Sequence, residues 1–195
     1  MAAVLTTAPT VEPLTTVEAK AHLRLEIDTD DAPVQILISA ARRFVEHATG
    51  RSLITQTWTL YDDCWPECEP IRLPRGPVIA VSSVKYYDSD NVLQTMASTD
   101  YLVDVTCDPA RVALLPTAVW PTAYPRINAI QVAYTAGYGA TAASVPEDLK
   151  HALKLLVGHW YENREGVITG TISKALEFSI DALLDGYRIL SPLAA

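Results

Sequence analysis

The chain has 195 residues, of which 49% are hydrophobic and 19% charged, so it is long enough for one good core or for one domain that carries a smaller insertion. This composition excludes a disordered or coiled-coil protein and leaves little room for a second large domain. The net charge of −8, with Lys and Arg scattered along the chain, disfavours tight binding to phosphate backbones, which depends on clustered cations.

The hydrophobic pattern, the first residues and the cysteines indicate whether the protein is inserted in a membrane, exported or stabilised by disulfides. No apolar run reaches the roughly 18 residues that span a bilayer, and MAAVLTTAPTVEP lacks a basic leader, so we expect a soluble protein that is not exported. Cys64 and Cys68 have the CxxxC spacing of half a zinc site, but Cys107 is the only other thiol. Three cysteines are too few for a disulfide scaffold, and reduced thiols are the favoured interpretation.

The N-terminal part of the chain predicts a flexible segment followed by two helices. Residues 1–13 are rich in Ala and Thr and contain two prolines, which is typical of a flexible lead-in. Thr15 and Glu18 have the spacing of a capping box, so a short helix is expected from there to about Leu25. A longer helix follows the turn IDTDDAP and ends at Gly50, and the two helices should pack as a hairpin.

The middle of the chain predicts an antiparallel β region, inserted over residues 53–143. Segments such as LITQTWTLYDD, PVIAVSSVKYYD and NAIQVAYTAGYG are rich in β-branched and aromatic residues and are bounded by Pro, Gly, Asp and Asn. The sequence DSDN at residues 88–91 is a favourable hairpin turn between two of these strands.

Helical periodicity returns in SVPEDLKHALKLLVGHWYENRE, residues 144–165. Ser144 and Glu147 are spaced as a capping box, and the apolar stripe of this helix needs an apolar partner, for which the first two helices are the obvious candidate. The predicted fold class is therefore α+β: a bundle of about three main helices over residues 14–52 and 144–165, with the β region inserted. Residues 166–195 form an extended C-terminal tail with a short helix, whose apolar character is typical of a segment that docks on another chain.

The histidines of the third helix do not form a metal site. His151 and His159 are eight residues apart, which places them about 12 Å apart along the axis and roughly 80° apart around it, so one ion cannot bind both. The chain also lacks a nucleophile elbow, a phosphate-binding loop and a dinucleotide fingerprint. The acidic loop around Cys64 is better explained as a solvated surface, because acid/base work needs burial that splits carboxyl pKa values.

Two alternative functions stay open from the residues alone. One is a metal-dependent hydrolase that uses Cys64, Cys68 and a histidine, which metal analysis of the purified protein would reveal. The other is a nucleic-acid-binding packaging factor whose tryptophans and tyrosines stack on bases, although the net charge of −8 argues against it.

Several blocks of sequence, in a fixed order from Leu14 to Leu190, resemble one family. They are LTTVEAKAHLRLE, ISAARRFVEHATGRSLITQTWTL, IRLPRGPVIAVSSVKYYDSDNVLQTM, DYLVDV, VAYTAGYG, VPEDLKHALKLLVGHWYENRE and ALEFSIDALLDGYRIL. In combination these blocks resemble the head–tail connector, or adaptor, proteins of long-tailed bacteriophages, prophages and gene transfer agents. The proline often expected before the aromatic residue of the last block is here Glu177.

The resemblance implies a structural role without catalysis, cofactor or metal. It implies a ring of about twelve copies beneath the portal protein, at the neck of the virion, assembled in the host cytoplasm. Such a ring passes DNA through its centre without binding it specifically and presents its far side to the next tail-completion, or stopper, protein. An acidic subunit suits this channel, because negative walls repel phosphates.

Two sets of residues are the predicted contacts. The first is the portal-docking tail, with Leu176, Phe178, Ile180, Leu183, Leu184, Tyr187 and Arg188. The second comprises charged residues that could form ion pairs with other subunits or with the portal, namely Arg42, Arg43, Arg164 and Glu165.

Overall fold

The chain divides into a β unit and a helical unit. The computed structural model describes residues 1–26, 28–67, 69–163 and 179–189. Within these residues the β unit comprises Met1–Pro9, Thr55–Gly137 and Ile189, and the helical unit comprises Thr10–Ile54 and Tyr138–Arg188. Each unit has its own cluster of buried apolar side chains, so each has its own hydrophobic core.

The β unit is built on a five-stranded antiparallel sheet in the order β1-β2-β8-β4-β5. The strands are β1 (Ala2–Thr7), β2 (Gln56–Asp62), β4 (Val78–Tyr87), β5 (Leu93–Thr95) and β8 (Ile130–Ala136). Strand β8 lies at the centre and alternates buried and half-buried side chains, which is the period of two expected of a strand that packs one face on a core.

A second, three-stranded antiparallel sheet has the order β3-β7-β6. Its strands are β3 (Ile71–Leu73), β7 (Ala110–Leu114) and β6 (Tyr101–Asp104). The core of the β unit draws on both sheets, with Leu73 and Val112 from the smaller one and Val132 and Tyr134 from the larger one, all fully buried. The expected turn at residues 88–91 joins β4 to β5, because the Asp88 carboxylate accepts hydrogen bonds from the backbone N–H groups of Asp90 and Val92.

The helical unit contains α1 (Thr16–Leu23), α2 (Asp31–Thr49), α3 (Glu147–Glu162) and a fourth helical segment, α4, at residues 179–184. The capping box of α1 is confirmed: Thr15 accepts from the N–H of Glu18, and the Glu18 carboxylate accepts from the N–H of Thr15. The Glu18 carboxylate accepts from the Thr15 hydroxyl as well as from the Thr15 backbone N–H, and these two hydrogen bonds, the hydroxyl first, hold the pKa of Glu18 below its ordinary value. Gly50 ends α2 in the left-handed conformation with φ of 70°, as its position predicts.

The core of the helical unit lies among all four helices. Val34, Ile38, Ala41 and Val45 of α2 repeat at helical spacing and are fully buried. They pack in one cluster with the stripe of α3 and with Leu14, which precedes α1. The expected packing of the third helix with the first two is therefore present.

Two boundary expectations are wrong. Residues 2–7 are not a flexible lead-in but the edge strand β1, which pairs with β2 and forms a hydrogen bond between the Thr6 and Thr59 hydroxyls at 2.8 Å. Sequence periodicity missed it because five of its six residues have exposed side chains, so the backbone ladder rather than an apolar stripe defines the strand. The β unit also ends inside the predicted range 53–143, because Leu53 and Ile54 are buried in the helical core and Tyr138 packs against it.

The start of α3 also differs from expectation. Ser144 lies in a separate 3₁₀ turn, Ala142–Ser144, and Pro146 is the N-cap of the helix without a side-chain cap hydrogen bond. Because Pro fixes its own φ, it places Glu147 and Asp148 in the first turn, where carboxylates favour the positive end of the helix dipole.

The α+β class, with a helical bundle, antiparallel strands and a short C-terminal helix, is confirmed. Among the described residues no helix has the length and apolar character needed to cross a bilayer.

Deleting residues 1–8 is expected to destabilise the β unit, because β2 loses one of its two ladder partners and Thr59 loses its hydroxyl partner. The β2 amides that face β1 should exchange with deuterium faster, and the thermal midpoint of unfolding should fall. Val4→Ser, at a side chain that is 52% exposed, keeps the strand and should leave both measurements unchanged. Unaltered exchange in the deletion variant would contradict the role given to β1.

Candidate interaction surfaces

The inner face of α2 is fixed by a buried charge network. Arg42 is only 8% exposed; its Nε donates to Glu12 at 2.7 Å and its Nη1 donates to Glu46 at 2.9 Å. Glu46 also accepts from the backbone N–H of Leu53 at 2.9 Å, and Glu12 accepts from the Ser39 hydroxyl at 2.8 Å. One guanidinium therefore connects the segment before α1, the helix α2 and the chain that follows it.

Electrostatics favour the charged form of this network. Burial alone would lower the pKa of Arg42, but hydrogen bonds and charge interactions with Glu12 and Glu46 outweigh it and raise the pKa above its ordinary value. Arg42, predicted as a contact residue for a subunit or the portal, is thus directed into its own subunit. The spacing of Arg42 and Glu46, four residues apart on one helix, is a sequence signal for an ion pair between them. No comparable signal in the sequence indicates that Glu12 is the second partner.

The outer face of α2 is exposed. Arg43 lies there and forms no ion pair with any described residue, so the structure keeps it available as a contact. Beside it, Ile36, Ala40 and Phe44 follow one another at intervals of four residues, with Ile36 70% and Phe44 47% exposed. Phe44 packs edge to face on Trp160 of α3, with ring centroids 6.1 Å apart. We call Ile36, Ala40 and Phe44 the α2 ridge.

A groove of about 570 Å³ opens on a different side of α2. Its walls come from the segment before α1, the first residues of α1, one side of α2 and the turn before α3. They include Val11, Leu14, Thr16, Ile38, Ser39 and Ala140. Of the described residues that line it, Glu12 alone has a charged side chain, and Thr15, which holds the Glu18 carboxylate, lies at its wall. We call this the α1/α2 groove.

The described part of the predicted docking tail packs on its own helical unit. Ile180 and Leu184 are 6% and 1% exposed and belong to the helical core, and Leu183 packs against it. Tyr187 also packs there; its hydroxyl donates to Asp148 at 3.1 Å, and its carbonyl oxygen accepts from Arg51 Nε.

The predicted contact residues differ in whether their side chains are exposed. Arg188 is exposed and pairs with Asp181 at 2.6 Å. Ile180 and Leu184, by contrast, are not available for a partner, because their apolar surface is already buried. Leu176, Phe178, Arg164 and Glu165 lie outside the described residues.

With this geometry in place, the family can be assigned. The family model described as head completion protein matches residues 13–188. The chain belongs to that family. The resemblance to head–tail connectors is thereby confirmed, and this head completion protein has a connector role. No curated protein matches the sequence.

Solved structures resemble the head completion protein over its whole length. A chain in the neck of an empty gene transfer agent particle, computed with C6 symmetry, superposes with a TM-score of 0.82 at 26% identity, covering 100% of this chain and 99% of that one. A chain of the virion of a native gene transfer agent particle gives 0.80 at 25% identity with the same coverage. A chain of the native neck computed with C12 symmetry gives 0.75 at 25% identity, again with the same coverage.

Among the described residues, those that suggested a hydrolase do not come together. Within the described ranges no three His, Cys, Asp or Glu side chains are grouped so as to hold a metal ion. Cys64 is exposed and Cys107 donates its thiol hydrogen bond to Asp104 at 3.1 Å, whereas Cys68 lies outside those ranges. His159 contacts Asn163, its neighbour one turn further along α3.

Several of the aromatic residues that suggested base stacking have ring partners within the β unit. Trp65 stacks on Trp120 with centroids 4.4 Å apart and an interplanar angle of 9°, and its Nε1 donates to the carbonyl oxygen of Pro121. Arg126 covers the ring of Tyr87 at 3.9 Å. These rings already have partners, so they do not form the open platform that single-stranded nucleic acid needs.

We expect replacement of Arg42 to lower the free energy of unfolding of the helical unit, and replacement of Arg43 to leave it nearly unchanged. Arg42→Ala leaves two carboxylates without their buried cation and should lower the free energy of unfolding by about 3 kcal/mol or more. Arg43→Ala, on the exposed face, should change it by no more than about 0.5 kcal/mol. Chemical denaturation of the two variants measures both values, and equal effects would contradict the buried network.

Proposed function

We propose that this head completion protein forms a ring of about twelve copies in the neck of a virus-like particle, where it joins the head to the tail. The likeness over the full chain to neck chains of gene transfer agent particles is the observation that carries this proposal. One of these necks was computed with C12 symmetry, which supports twelve as the copy number. A chain that covers 99% of such a subunit has the size needed for the same position.

The ring surrounds the path of the DNA without gripping it. The chain carries a net charge of −8, and a repeated acidic subunit repels the phosphate backbone, which lets a duplex slide through. The Trp65 and Trp120 rings of the β unit support the same conclusion, since they stack on each other and are not open to bases. This role is structural and requires no catalysis.

The portal protein is the partner on the head side, and a tail-completion or stopper protein is the partner on the tail side. We assign portal docking to the C-terminal tail. Burial of Ile180 and Leu184 narrows the contact residues to Leu176, Phe178 and the exposed Arg188. In this arrangement Ile180 and Leu184 anchor the tail on its own subunit, and repetition around the ring multiplies the weak contact of each tail.

Electron microscopy of assembled particles that contain this chain tests the ring. A neck ring of about twelve copies of the chain, located between the portal and the tail, is the expected result. A particle whose neck lacks the chain would overturn the proposed function.

Paired substitutions in the tail test portal docking. Leu176→Asp with Phe178→Asp should abolish binding to isolated portal rings, because it places carboxylates in an apolar contact. We expect the thermal midpoint of unfolding to stay unchanged, because the proposal assigns these two side chains to the portal contact and not to their own helical unit. Val119→Asp, at a side chain of the β unit that is 84% exposed, is the matched control and should bind as the unaltered chain does. Undiminished binding by the paired variant would refute the tail assignment.

A further inference from the structure

The two outer surfaces of α2 differ in shape. The α2 ridge is a row of side chains at intervals of four residues, which is the row that packs into grooves in the commonest class of helix contact. The α1/α2 groove is a concave and mostly apolar surface on the same unit. One chain therefore carries both a projecting and a receiving surface.

The charge beside the ridge disfavours a contact between two ridges. Arg43 lies there and has no ion-pair partner among the described residues, so two ridges facing each other would bring one Arg43 against another. The groove offers no such repulsion, because the charged residue among its described lining residues is Glu12, a carboxylate that is paired with Arg42.

The directions of the two surfaces fit a closed ring. Each residue of a helix advances by about 100° around the helix axis. On this basis the mean direction of the α2 ridge lies roughly 150° around the axis from the mean direction of the groove-lining residues of α2. Those residues are Gln35, Ile38 and Ser39. In a ring of twelve, each subunit is rotated by a twelfth of a turn, and its two neighbours lie about 150° apart. Contacts between different surfaces, repeated head to tail, are the kind that close into rings.

We infer that the α2 ridge of one copy packs into the α1/α2 groove of the next copy, with α2 running roughly parallel to the ring axis. This inference rests on the proposed ring and specifies which surfaces close it. The occupant of the groove is thus a second copy of this chain, and each copy uses both surfaces at once.

Cysteine cross-linking in assembled particles tests the pairing. Ala40→Cys on the ridge and Ala140→Cys at the groove are both at exposed positions, and they should be joined by a short bismaleimide between neighbouring copies. The doubly substituted chain should give a covalent ladder that extends well beyond the dimer, because each copy is linked on two sides. Either single substitution alone should give no such ladder, which also controls for the three natural cysteines.

The outcomes separate the inference from the proposed function. A ladder in the doubly substituted particle supports the inference. Its absence from particles whose neck ring is intact by electron microscopy overturns the inference and leaves the ring standing. A neck without this chain overturns the proposed function itself.

A second measurement uses charge in place of cross-links. Ile36→Asp puts an unpaired carboxylate into every ridge contact and should reduce incorporation of the chain into particles by about tenfold or more. Ile127→Asp, at an equally exposed isoleucine of the β unit, should be incorporated normally. Circular dichroism of both isolated variants should match the unaltered chain, since both side chains are exposed. Normal incorporation of Ile36→Asp would overturn the inference.

Discussion

A guanidinium held between two carboxylates sets the geometry of the helical unit. Arg42 of α2 binds Glu12, which precedes α1, and Glu46, which in turn holds the backbone of Leu53. Burying charges costs several kcal/mol unless each finds a partner, so this network is stable only when all three segments are in place. Two consequences follow: α2 cannot rotate about its axis without breaking the network, and the directions of its outer surfaces are therefore fixed.

A fixed α2 suits a connector. A ring made from repeated contacts magnifies any angular error, because each subunit is positioned by the previous one. The inner face of α2 is locked by Val34, Ile38, Ala41 and Val45 as well as by Arg42. The same helix can then present a ridge and one wall of a groove at a constant angle. A rigid helical core thus keeps the angle between the two contact surfaces of a subunit constant.

The described part of the C-terminal segment is anchored on its own subunit. Leu184 and Ile180 belong to the same core as α2 and α3, and Arg51 holds the backbone at Tyr187. An anchor of this kind lowers the conformational entropy lost when neighbouring residues bind a partner. It also explains why apolar composition alone overstated how much of the segment is available for docking.

The sequence by itself determined the class of fold, the helices and most strands, because capping residues, glycine stops and apolar periodicity are local signals. It also carried the family resemblance, through blocks spread from Leu14 to Leu190. Only the tertiary structure decided the role of β1, whose exposed side chains give no period, and the inward direction of Arg42, whose partner Glu12 lies thirty residues away. It likewise decided that Ile180 and Leu184 are core residues while Ile36 and Phe44 are exposed. Hydropathy states that an apolar side chain needs burial, but whether its own subunit or a neighbour buries it depends on long-range packing.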